Sequence, residues 1–246
     1  MPTGLSGTRY VVNTTYAGER NYTHLYDTQM MTSLWTAYPL NSSHMGSLSR
    51  PGKWYYNPDI DESCQPDVTS GSYSGSYSRG HLCPNGSRNG NSTMQKQTFY
   101  VTNQVPQIQT RFNDGIWNQL ENAIQGAAQS EEIYVVTGVA FNKVGESKSI
   151  SYATPSDNAS QKIPVANYFY KVVLKVKYSG NNVSDARAIG FWFEHKTYQN
   201  DSYVNYSVSI DQIEQWTGFD YFVNLPDSIE KSAESKEMTW SEFTAW

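Results

Sequence analysis

Three runs in the second half of the chain constrain its fold most: Ile133-Tyr134-Val135-Val136-Thr137-Gly138-Val139, then Tyr168 to Tyr178, then Ala188 to Phe193. Each is rich in β-branched and aromatic residues, which suit a pleated, half-buried surface, so they predict strands of a central sheet. The start of the chain adds to them. Tyr10-Val11-Val12, Tyr22 to Tyr26 and Leu34 to Tyr38 alternate apolar and polar positions, and Asp27-Thr28-Gln29 between the last two reads as the turn of a strand pair. After Asn113 the period changes: Ile116, Leu120, Ile124 and Ala127 recur at helical spacing. Ser209-Ile210-Asp211-Gln212 fits a capping box ahead of Ile213 and Trp216, with Gly218 as the stop, so a short helix follows the sheet. No internal repeat or domain boundary is visible. The expected architecture is α+β, a single domain over residues 1–246 with a mixed central β-sheet, flanking helices and a loop-rich face. Residues 1–8, small and polar, are expected to be a flexible leader remnant.

From Asn41 to Ser78 the chain is dominated by Ser, Gly, Pro, Asn and Tyr, which supply no regular apolar face and predict a long surface loop. A loop of that length in a compact domain is usually functional or disordered. Phe99 to Thr102 reads as a short β-like run. Cys64 and Cys83 flank the Gly/Ser/Tyr-rich part of the loop; they are either a disulfide closing it in an oxidising compartment or two free thiols, and the spacing does not choose. With 18 Lys+Arg, 19 Tyr, 7 Trp and many Ser, Asn and Thr, the composition leans towards an exported protein, secreted, periplasmic or surface-anchored, whose leader this chain lacks. No stretch reaches the roughly 18 apolar residues of a membrane-spanning helix. The net charge of −5 sits awkwardly with a polyanionic partner unless Arg and Lys cluster locally and a metal adds positive charge.

The chemistry concentrates in Ser78-Arg79-Gly80-His81-Leu82-Cys83-Pro84 and, about thirty residues later, Phe112-Asn113-Asp114-Gly115-Ile116-Trp117 with Glu121. His81 lies in a polar, glycine-bearing segment, and Thr102-Asn103 falls between it and the Asn-containing helix. Phosphodiester hydrolysis asks for such groups: an imidazole to take a proton from water, an arginine to grip phosphate oxygens, and neutral oxygen ligands that leave a divalent metal most of its charge. His24, His44 and His195 show no zinc spacing.

Together with Thr98-Phe99-Tyr100-Val101-Thr102-Asn103, Pro106-Gln107, Leu120-Glu121 and Val136-Thr137-Gly138, this stretch resembles the DNA/RNA non-specific endonuclease family, whose active site is a ββα-metal motif with an Asp-Arg-Gly-His signature. The resemblance runs more loosely from about Tyr22 to Leu225. It implies His81 as the base that activates water and Asn113 as the single protein ligand of a magnesium ion, with manganese as a substitute and water and phosphate completing the shell. Glu121 would hold metal-bound water, Arg79 would contact the phosphate, and Asn103 would orient the attacking water. A further arginine precedes a Trp-x-x-Asp/Asn-Pro pattern, here Trp54-Tyr55-Tyr56-Asn57-Pro58; Arg50 is preferred over Lys53 because a guanidinium matches phosphate geometry. Ser78 stands where the signature has Asp, and a hydroxyl can partly replace a carboxylate that ties a loop to backbone groups.

The expected activity is therefore metal-dependent, sequence-independent cleavage of DNA and RNA. A nucleic-acid- or partner-binding protein that keeps the fold without turnover is the main competitor, and a phosphodiesterase for small nucleotides is another; the intact His81, Asn113 and Glu121 favour the enzyme. A homodimer and an inhibitor protein are both left open by the residues.

Overall fold

The strand-forming runs pair with one another into one large sheet. The structure is a computed structural model that describes residues 9–246, so the leader expected at residues 1–8 lies outside the described residues. Arg9–Tyr16 (β1), Glu19–Asp27 (β2) and Thr32–Leu40 (β3) form a meander. The predicted pair is thus three strands. Ala17 and Gly18, both at positive φ (51° and 83°), make the first hairpin as tight as a two-residue turn allows. In the second, the Asp27 carboxylate accepts the Gln29 and Met30 amides at 3.0 Å.

Tyr77–His81 (β4) comes next, followed by Ser92–Thr98 (α1), Gln104–Ile108 (β5) and Asn118–Ala127 (α2). Ile133–Ala140 (β6), Ser151–Ala153 (β7), Ile163–Val165 (β8), Tyr168–Ser179 (β9), Asn182–Glu194 (β10) and Ser207–Val208 (β11) lead to Ile210–Thr217 (α3), Asp227–Ser235 (α4) and Trp240–Thr244 (α5). The large sheet has the order β1-β2-β3-β6-β9-β10-β11, with every pairing antiparallel. Separate two-stranded sheets pair β4 with β5 and β7 with β8.

Both faces of the sheet's middle are covered, which is why β9 and β10 read as nearly continuous apolar runs. On β9, Phe169 and Val173 pack towards Leu120 and Ile124 of α2, while Tyr170, Val172 and Leu174 pack towards Ile210 and Ile213 of α3 and Ala233 of α4. The molecule is thus layered, with the β4–β5–α2 unit on one face and α3 and α4 on the other. The Ser209 hydroxyl caps α3 by accepting the Gln212 amide at 3.2 Å, and Gly218 ends it at φ 71°.

Three local expectations change. The segment from Asn41 to Ser76 has no strand or α-helix, yet it is no mere surface loop: Trp54, Val68 and Tyr73 are buried in a core of their own with Phe99, Val101, Ala153 and Ile163. Phe99 to Thr102 is not a strand but the end of α1 and a tight turn at Val101–Asn103; its alternation reflects Phe99 and Val101 entering that core. Regular helix begins at Asn118 rather than just after Asn113, because the wound segment Gln109–Trp117 is broken at Thr110, at Arg111 (φ 63°) and at Gly115. Cys64 and Cys83 are free thiols: Cys83 sits in the main core, where burial pushes its thiol up to about 11, and Cys64 is partly exposed. Among the described residues no helix is long and apolar enough to cross a membrane.

Two buried imidazoles give the fold a pH dependence. Burial lowers His24 from 6.5 to about 3 and His195 to about 4. His195 is a strut, its Nε2 accepting the Ile108 amide at 2.8 Å while Nδ1 lies 2.9 Å from the Ala166 carbonyl. Unfolded, both rings take up protons near pH 6.5; folded, they do not until about pH 4 and below, so the unfolded state binds more protons in that window. Their contribution to stability is complete above pH 6.5 and shrinks as pH falls. NMR titration of the folded protein should find both rings neutral at about pH 5.5; a midpoint near 6.5 for either ring would contradict its burial.

Candidate active site

Two short paired strands and the helix beyond them place the polar groups. β4 runs antiparallel to β5 with Ser78 opposite Gln107, Gly80 opposite Val105 and His81 opposite Gln104. Gly80 is required by close approach: a Cβ there would lie 2.2 Å from Gln107 Oε1 and 2.6 Å from its Cβ. As the chain leaves His81, Asn103 ties it down, Oδ1 accepting the Cys83 amide at 2.9 Å and Nδ2 donating to the Cys83 and Thr98 carbonyls at 2.9 Å each.

A cavity of about 250 Å³ opens beside this unit, lined by Arg50, Arg79, His81, Asn113 and Glu121. Residues from the upstream loop, β4, the broken segment and α2 therefore meet at one place, although up to 71 positions separate them (Arg50 to Glu121). Asn103 is not among them. It is fully buried and its amide is spent on backbone partners, so the expected orienting of water gives way to the role of a backbone staple. Lys53 lines a neighbouring hollow with Trp54 and Arg79, its ammonium 5.2 Å from the Tyr55 ring centre; of the two upstream cations, Arg50 is the one beside His81.

The His81 ring is held by aromatic walls, Trp54 at 4.6 Å and Phe99 at 4.9 Å between centroids. Its Nε2 is sealed from solvent and has no hydrogen-bond partner, which leaves Nδ1 as the nitrogen that water can reach. Burial, then the charges of Arg50 and Arg79, hold the imidazole well below its ordinary value, so it is neutral at pH 7. The Arg79 guanidinium lies 5.1 Å from the Trp54 ring centre, and its Nη1 donates to the Val68 and Gly71 carbonyls at 2.8 and 2.7 Å. The packed loop thus fixes one end of Arg79 and leaves Nε and Nη2 to be used. Arg50 lies over Phe99 at 5.1 Å.

Asn113 has its orientation set from behind. Nδ2 donates to Ser78 Oγ at 3.0 Å and to Gln109 Oε1 at 3.1 Å, and the Ser78 hydroxyl in turn donates to the Gln107 carbonyl at 3.1 Å. With both amide hydrogens taken, Oδ1 is the free end, a neutral oxygen acceptor. Ser78, in the place of the signature's Asp, is therefore a bridge between β5 and Asn113. Glu121 stands 3.6 Å from Lys171 Nζ, which is wholly buried on β9 and donates to Thr137 Oγ1 at 2.7 Å. Burial pushes the Glu121 carboxyl up, against the opposing pull of Lys171 and Arg50.

Sequence reasoning missed Trp54 as the platform for His81 and Arg79, Gln109 as a partner of Asn113, and Lys171. Lys171 carries a visible signal, a lysine set between aromatic and β-branched residues of a strand; Trp54 opens the Trp-x-x-Asp/Asn-Pro pattern, and Gln109 carries no signal beyond nearness to the motifs. The awkward net charge also resolves in space, because Asp211, Glu214, Asp220, Glu230 and Glu234 gather at α3 and α4, across the sheet from the cavity.

A family model for DNA/RNA non-specific endonucleases matches residues 6–228. A nuclease of Nostoc sp. is 28% identical over 242 residues, covering 96% of this chain and 83% of that protein. A nuclease of Serratia marcescens is 25% identical over the same coverage, 96% and 83%. In three dimensions the chain superposes on a chain of the EndoG/EndoGI complex with a TM-score of 0.73, at 19% identity, over 92% of this chain and 91% of that one, a likeness of fold.

Proposed function

The chain belongs to the DNA/RNA non-specific endonuclease family, and on that premise we propose that it is a metal-dependent endonuclease that hydrolyses DNA and RNA without regard to sequence, with His81 as general base and a magnesium ion held by Asn113. The observation that carries this reading is the convergence of His81, Asn113, Glu121, Arg50 and Arg79 on one cavity. The donor set fits a hard cation that keeps most of its water: among the described residues no cluster of three His, Cys, Asp or Glu ligands surrounds this cavity, and the Asn113 oxygen is free. A bound magnesium or manganese ion would supply positive charge for the scissile phosphate and the departing oxygen.

His81, neutral at pH 7, takes a proton from water through Nδ1 as the water oxygen attacks phosphorus. The P–O3′ bond breaks, the 3′ oxygen takes a proton from solvent, and the products carry a 5′-phosphate and a 3′-hydroxyl. Arg50 and Arg79 hold non-bridging phosphate oxygens, a grip that depends on backbone charge and not on base identity. Glu121, kept in place by Lys171, holds water on the Asn113 side of the cavity. Export belongs to the same reading, supported by the scarcity of Lys and Arg and the wealth of Ser, Asn and Tyr, and so does a single catalytic domain.

The test is digestion of supercoiled plasmid and total RNA at neutral pH, with magnesium and with chelator. Both substrates should be degraded in magnesium and spared in chelator; intact substrates in magnesium would overturn the proposal, and equal DNA retardation in both buffers would mark a binding protein instead. Ser78→Ala should raise the magnesium concentration for half-maximal rate by about 10-fold, since a lost partner behind a metal ligand commonly costs 10- to 100-fold in affinity. Ser78→Asp, which restores an acceptor for Asn113 Nδ2, should lie near wild type in the same titration. Equal half-saturation for wild type and Ser78→Ala would remove Ser78 from the support of Asn113.

A further inference from the structure

On the sheet face opposite the catalytic cavity, α3 and α4 bring five carboxylates together. Asp211 and Glu214 lie on α3, Asp220 on the connection, and Glu230 and Glu234 on α4. Carboxylate oxygens of Asp211, Glu214 and Glu234 lie within 4.8 Å of one another, and so do those of Asp220, Glu230 and Glu234. Glu234 belongs to both groups and is their centre. Its residue is only 7% exposed, and its Oε1 is buried with no hydrogen-bond partner.

Such an arrangement is costly as it stands. Among the described residues, none of the ion pairs reaches any of the five, so no lysine or arginine offsets their charge. One oxygen of Glu214 accepts the Tyr221 amide at 2.8 Å, the single neutral donor this cluster has from the loop. Burial and the surrounding carboxylates push Glu234 up to about 8. A buried, unpaired carboxyl facing four others is what a bound cation relieves.

The donors identify the cation. All are carboxylate oxygens with no His or Cys, which selects a hard ion over zinc or copper. Four carboxylates around the buried Glu234, in two groups of three that share it, exceed what magnesium normally recruits from protein, whereas calcium takes six to eight oxygens in flexible geometry. We propose that Asp211, Glu214, Asp220, Glu230 and Glu234 form a calcium site that fastens α4 to α3, separate from the catalytic centre. Ile213 and Ala233 pack in the core beneath it, so the ion stiffens the outer layer of the fold.

Terbium, a luminescent stand-in for calcium, can be read through Trp216 and Tyr221, which lie in and just after α3. Metal-stripped protein should bind terbium with sensitised emission that calcium displaces, and 1 mM calcium should raise the thermal midpoint by at least about 3 °C. Asn113→Ala should keep both responses. Glu234→Gln should lose both, melt higher than wild type in chelator, and retain wild-type plasmid cleavage in magnesium. Asp220→Asn, at an exposed position, should weaken calcium binding by about 10-fold and covers the case in which Glu234→Gln does not fold. The proposal is overturned if wild type shows neither response, if Glu234→Gln or Asp220→Asn responds as wild type does, or if Asn113→Ala abolishes the emission.

Discussion

His81→Ala is expected to slow phosphodiester cleavage by about 10²- to 10⁴-fold, the usual contribution of a positioned general base, with both DNA and RNA affected alike. The reason is specific to this ring. Trp54 and Phe99 fix its plane, Nε2 is sealed, and burial, then the adjacent guanidinium groups of Arg50 and Arg79, keep it unprotonated. A neutral base needs no deprotonation step at neutral pH, and the arginines that add to the effect of burial are the ones proposed to grip phosphate. The rate at saturating magnesium should therefore stay level from pH 8 down through 6.5 and fall only at lower pH, as the ring takes up a proton. Because the ring packs on Trp54 and Phe99, truncation also removes contacts, so the variant's melting should be measured beside its rate; a folded, inactive His81→Ala is the expected result.

The second large effect is Asn113→Ala. Removing the carboxamide takes away the proposed protein ligand of the cation, and a loss of at least about 10²-fold in rate at 1 mM magnesium is expected, with only partial recovery at higher magnesium. Asn113 is partly exposed and its hydrogen bonds go to side chains, Ser78 and Gln109, so the fold should tolerate the change. The two variants then separate by magnesium dependence. His81→Ala loses rate with an unchanged half-saturation point, while Asn113→Ala moves that point upward. Identical behaviour in the two would place both residues in structural support of the site.

How far the residues announced this is clearest at particular places. The strands were legible because β9 and β10 are buried on both faces and so read as long apolar runs, and α2 because Leu120 and Ile124 face the core at helical spacing. The site was legible as a motif: Arg79, His81, Asn113, Glu121 and Arg50 all line one cavity. Asn103 shows the limit, since a buried carboxamide bonding to backbone and a carboxamide awaiting solvent look alike in one dimension. Local composition misled at Asn41 to Ser76, where Gly, Ser and Tyr suggested a solvated loop, whereas Trp54, Val68 and Tyr73 are buried against residues roughly 30 to 110 positions away. Ser78 was legible only as a departure; its role needed Gln107 and Asn113, brought to it by strand pairing and by a break in the helix. The helices α4 and α5 passed unnoticed because they are short, nine and five residues, and mostly polar.

The most direct measurement is the single-turnover rate of plasmid nicking against magnesium concentration for wild type, His81→Ala and Asn113→Ala at pH 7. We expect saturable activation of wild type, a collapsed rate with the same half-saturation in His81→Ala, and a weakened magnesium response in Asn113→Ala. A wild-type rate in His81→Ala, or nicking by wild type that persists in chelator, would contradict the pairing of these two side chains around a cation.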